Sequence, residues 1–176
     1  MASNVILLAC LIAAPLVVQL RGARPAVLFF AAAIAYASVG AVNFVHVQQL
    51  LRDARTADPS HGDTYYVVSH AHHALSLGFI LAALGVLTWL QTKFGAMRYP
   101  CGTKVLFWLL HLSLIGSSRY FGFLAFVFRR PRRYVEYPDI MSTYSSLAAA
   151  SGFVSSMTVL AIVAVLLWSV FLKVRS

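Results

Sequence analysis

The chain has 176 residues, 60% of them hydrophobic and only 11% charged, with a mean hydropathy of +0.79. A soluble domain carries roughly twice that charge, so a soluble fold is excluded. The formal net charge is +9, yet most of the 14 Lys and Arg sit in short connections between apolar runs, which is a pattern of membrane topology and not of a nucleic-acid-binding face.

A helix needs about 20 apolar residues to cross a bilayer, because unpaired backbone groups are too costly in hydrocarbon. Five stretches qualify, at 4–20, 25–47, 64–90, 104–128 and 142–172. The chain is therefore expected to be an all-α polytopic membrane protein forming one transmembrane domain over 1–176. The first stretch lacks a basic segment before it and is followed by Arg21 and Arg24, so it reads as a retained span and not a cleaved signal. Cys10 and Cys101 offer neither a disulfide framework nor a CxxC pair, and both are read as structural. Five spans place the N-terminus and the second and fourth connections on one side. Basic residues split almost evenly between the two sides, but Asp53, Asp58, Asp63, Glu136 and Asp139 all fall on that first side. The balance puts the C-terminus in the matrix or cytoplasm.

The start of the third span carries the chemistry. Asp63 suits a helix N-cap, since its carboxylate can accept hydrogen bonds from the first free amides. His70 follows about 10 Å deeper, with His72 and His73 beside it. Ionisable groups at that depth are rare and usually functional. Positions two apart on a helix point about 200° apart. His70 and His72 therefore cannot chelate one metal, but each can ligate a separate haem iron on its own flank of the helix. His73 alone keeps the ordinary reading of an interhelical hydrogen-bonding histidine.

Two motifs now carry a resemblance. Asp63-Thr64-Tyr65-Tyr66-Val67-Val68, then His70 and His72, then Leu75-Ser76 and Gly78, resembles helix X of cytochrome c oxidase subunit I. Pro131-Arg132-Arg133-Tyr134, followed by Tyr137-Pro138-Asp139, is similar to the family's connection between helices XI and XII. The resemblance implies that the five spans correspond to helices VIII–XII of the twelve-helix haem-copper oxidase core. It also implies two haems of the a type. His70 would be the proximal ligand of the oxygen-reducing haem, where the catalysis occurs, and His72 an axial ligand of the electron-donating haem. Arg132 and Arg133 would hold haem propionates, in keeping with the fit of guanidinium to carboxylate. The implied location is the mitochondrial inner membrane, with a bacterial plasma membrane as the alternative. The implied partners are oxidase subunits II and III, cytochrome c and membrane lipid.

Departures from the family pattern are specific. The magnesium-binding His-Asp pair appears as Gly62-Asp63, with His61 displaced by one residue, which leaves Asp63 as the magnesium candidate. Ala71 stands where the family commonly has Phe, and Gln19 falls near the position of its proton-conducting lysine. The family's histidine-rich helices are not in this sequence, so the copper ligands and a second ligand for the electron-donating haem must come from elsewhere. The expectation is a subunit I in two pieces, with copper in an N-terminal partner. Two other readings stay open. One is a haem-free accessory subunit. The other is a small dihaem carrier of the cytochrome b type, for which His46, His61, His72 and His111 offer no evident opposed pairs.

Overall fold

The computed structural model describes residues 2–56, 64–117 and 137–175. Every element among them is a helix, in the order α1 (Ala2–Leu20), α2 (Pro25–Thr56), α3 (Thr64–Lys93), α4 (Pro100–Ser117) and α5 (Tyr137–Arg175). Three are long and apolar enough to cross a membrane, over Pro25–Val42, His73–Lys93 and Ser145–Arg175. A shorter apolar stretch covers Leu8–Leu20 of α1. The described part of α4 ends at Ser117, and the rest of the expected span to residue 128 lies outside the described residues.

Helix ends follow local chemistry more closely than hydropathy does. α2 runs to Thr56 and α3 to Lys93, past the apolar runs at 25–47 and 64–90, because a helix keeps its backbone bonds where its side chains turn polar. α2 and α4 each begin on a proline, whose missing N–H is one of the unpaired donors at a first turn anyway. α1 and α3 stop on glycines with positive φ, Gly22 at 70° and Gly95 at 65°. At the first stop the Gly22 N–H donates to Gln19 O at 2.9 Å and the Ala23 N–H to Val18 O at 3.4 Å. At the second, Gly95 N–H donates to Thr92 O at 3.3 Å and Ala96 N–H to Gln91 O at 2.8 Å. This paired pattern satisfies carbonyls that a helix end would otherwise leave open. Pro15 lies inside α1 without ending it.

The chain groups into two compact units, Cys10–Leu87 and a second made of Met1–Ala9 with Thr88–Ser176. In the first, α2 and α3 pack closely. A Cβ added at Gly78 would lie 3.2 Å from both Ala33 O and Ala37 N, which is contact with the backbone of α2 itself. Leu75 meets Gly40, and Phe29 and Phe30 meet Gly85. Partner numbers fall on α2 as they rise on α3, so the two helices run antiparallel. The crossing relies on small residues that let backbones approach, the usual source of helix association when apolar burial gives no advantage over lipid. Leu28, Phe29, Ala32, Leu81 and Leu84 fill the buried side of this unit.

In the second unit α4 packs along α5. The last turns of α3 join it, since Gln91 Nε2 donates to Leu166 O at 2.6 Å. Cys10 and Cys101 are free, and both are exposed on the chain's own surface, where burial was the usual expectation for a structural thiol.

The Gly78 contact gives a direct test. Gly78→Val should destabilise the α2–α3 pair by about 1–3 kcal/mol, the usual cost of forcing extra carbons into a packed site. Gly152→Ala, where an added carbon meets nothing within 4 Å, should be close to neutral. Thermal unfolding of the purified membrane protein would show a lowered midpoint for the first variant only.

Candidate functional site

The first turns of α3 hold the histidine pair. α3 is continuous from Thr64, so position 70 lies about 9 Å along the axis and position 72 about 3 Å further. Because the backbone is α-helical through both, the two positions fall on opposite faces. Further along the helix Ala74 and Leu81 are buried, whereas Ser76 and Phe79 are exposed. The His70 and His72 side chains lie outside the described residues, as do Asp63, His61, Arg132 and Arg133. His73 is described and is exposed.

The antiparallel register with α2 extends to this level. Leu75 sits against Gly40, so positions 70 to 73 of α3 stand level with about positions 42 to 45 of α2. Val42, Phe44 and Val45 are all exposed there. No group of three or more His, Cys, Asp or Glu that could hold a bare metal ion occurs among the described residues.

The chain is 32% identical to cytochrome c oxidase subunit 1 of Cereibacter sphaeroides over 104 residues, which is 57% of this chain and 18% of that protein. It is 33% identical to the Eremothecium gossypii subunit over 108 residues, covering 60% of this chain and 19% of the relative. For Albinaria turrita the figures are 31% over 115 residues, 65% of this chain and 58% of the relative. The chain is similar to cytochrome c oxidase subunit 1. It matches less than a fifth of the Cereibacter sphaeroides and Eremothecium gossypii subunits. No protein-family model and no solved structure matches it.

Several features lie outside the oxidase motifs. Gln19, near the family's lysine position, sits in the last turn of α1 with its Oε1 buried and without a hydrogen-bond partner. Gln91 Oε1 is in the same state, although its Nε2 clasps α5. His111 on α4 is fully buried, stacked on Phe107 with ring centres 5.6 Å apart and edge-on to Trp108 at 5.9 Å. No spacing signal marks it, because one histidine in an apolar run has no partner position to be read against. At the helix C-termini, Lys93 lies over the Trp89 ring at 5.1 Å and Arg175 over Phe171 at 5.8 Å. Both placements complement the negative end of the helix dipole.

Proposed function

We propose that this chain supplies helices VIII–XII of an oxidase subunit I and completes its two-haem, oxygen-reducing and proton-translocating site together with a separate N-terminal piece. The observation that carries the reading is the pair of histidines two residues apart on one continuous helix, in a chain similar to cytochrome c oxidase subunit 1. His70 and His72 give each haem one protein ligand and give copper none. The remaining ligands must therefore come from outside these 176 residues.

Each residue has a defined task in this reading. Neutral imidazoles at 70 and 72 would each hold one cofactor of the a type. A bound haem supplies one-electron and oxygen chemistry at its iron. Arg132 and Arg133 neutralise propionates at the edge of the hydrocarbon, where an unpaired carboxylate is costly. Asp63 is the magnesium candidate. The apolar surface at Val42, Phe44 and Val45 is a face that cofactor or partner helices cover. The setting is a mitochondrial inner membrane, with oxidase subunits II and III and cytochrome c as partners.

Two substitutions at α3 test the assignment. His70→Ala should remove the high-spin, ligand-binding haem signal and His72→Ala the low-spin one, read from optical spectra of the purified complex. Loss of the same species in both variants, or of neither, contradicts the reading.

The arginine pair gives a second test by redox titration. Arg132→Gln or Arg133→Gln should lower haem midpoint potentials by about 1 kcal/mol of interaction, the scale of a partly screened charge. The sign follows because removing positive charge disfavours the more negative, reduced state. Lys should restore part of the effect, since it keeps the charge without the planar fork. Unchanged potentials with full haem occupancy would mean that the arginines anchor lipid headgroups.

A further inference from the structure

The turn between α3 and α4 and the last turns of α5 meet at one end of the unit that holds residues from Thr88 onward. Gln91 Nε2, near the end of α3, donates to Leu166 O of α5 at 2.6 Å, and the turn folds back to Gln91 O through the Ala96 N–H at 2.8 Å. At the far end of α4 a Cβ on Gly116 would lie 3.3 Å from Ser151 Cβ. Pro100 to Gly116 covers about 24 Å along α4, and Leu166 to Ser151 about 22 Å along α5, so these helices run antiparallel. The first turn of α4 thus stands about level with Leu166.

Positive charge and aromatic rings collect at this level. Lys93, Arg98 and Arg175 are exposed and Lys104 is half-buried, with Lys173 in the same last turn of α5 as Arg175. No Asp or Glu occurs in 64–135 or 140–176, so these segments bring no acid to that end. Trp89, Phe94, Tyr99, Trp168 and Phe171 are all exposed beside the cations. Two of the cations fold back over rings, Lys93 over Trp89 at 5.1 Å and Arg175 over Phe171 at 5.8 Å. Each ring sits one turn deeper toward the hydrocarbon, which holds the charge at the membrane surface. Below this end an apolar stripe runs down α5. Leu167, Leu160 and Phe153 recur every seven residues and are 66%, 62% and 65% exposed. They cover about 21 Å of the helix axis, enough to line one leaflet of a hydrocarbon core about 30 Å thick.

We propose that this end of the unit is a docking surface for an anionic phospholipid, its phosphodiester drawn to Arg98, Lys104 and Arg175 and its acyl chains laid along the Leu167–Phe153 stripe. Basic clusters at the ends of membrane helices recruit acidic lipids, and a guanidinium offers paired N–H donors to phosphate oxygens. Interfacial Trp and Tyr mark the depth of the headgroups. An acidic protein segment would answer the charges but would leave the apolar track below them uncovered. Charge stacked directly above an exposed apolar stripe therefore decides for lipid. The inference stands on α4, α5 and the turn before them, whether or not α3 holds haem.

The test equilibrates the purified complex containing this chain with detergent micelles of phosphatidylcholine and phosphatidylglycerol in equal amounts, then counts the retained lipids by native mass spectrometry. Arg98→Gln with Arg175→Gln removes two exposed charges. This variant should retain fewer phosphatidylglycerol molecules per complex than the parent, with phosphatidylcholine unchanged. Arg98→Lys with Arg175→Lys, which keeps the charge, should retain more phosphatidylglycerol than the Gln pair. Arg21→Gln with Arg24→Gln removes the same charge from the α1–α2 turn on the same side of the membrane and should match the parent. Equal phosphatidylglycerol retention by the parent and the Arg98/Arg175 Gln variant overturns the proposal. An equal loss on substituting Arg21 and Arg24 also overturns it, because the preference then belongs to the overall charge of that membrane face.

Discussion

Hydrocarbon offers no hydrogen bonds, and that constraint organises the whole chain. Each backbone group must be paired within its own segment, which leaves helices as the only way for a single apolar strand of sequence to cross. The same rule governs the side chains inside the spans. Ser113, Ser155, Thr158 and Ser169 all return their hydroxyl protons to carbonyls of their own helix. Gln91 reaches across to Leu166, and the helix ends at Gly22 and Gly95 fold back on their last carbonyls. Polar groups that persist under this rule are rare and usually have a reason to be there.

Helix association then follows from shape. Lipid tails are as apolar as leucine, so close backbone approach does the work that burial does in a soluble core. Gly78 against Ala33 and Ala37 brings α3 onto α2, and Gly116 beside Ser151 brings α4 onto α5. Extensive apolar surface remains on the outside, including Phe153, Leu160 and Leu167 of α5. In the proposed complex that surface meets lipid and the other oxidase subunits.

Much of this was legible in the sequence. Apolar runs marked the helices, because hydropathy needs no partner to be understood. The spacing of His70 and His72 has a geometric meaning on a helix, while their side chains lie outside the described residues. Which faces meet was not legible. The spans are apolar on nearly every side, so periodicity does not distinguish the face of Gly78 from that of Phe79. The burial of His111 was hidden for the same reason, and the ends of α2 and α3 were set short because hydropathy stops before the backbone bonding does.

The central claim is that the chain holds haem in a site completed by a second chain. Affinity purification of the intact complex through this chain, with haem, iron and copper quantified per copy and its polypeptides identified, tests it most directly. The account predicts two haems per copy and a longer polytopic partner, rich in intramembrane histidines, in one-to-one ratio. A haem-loaded chain recovered without that partner, or a complete complex in which this chain contacts no haem, would contradict it.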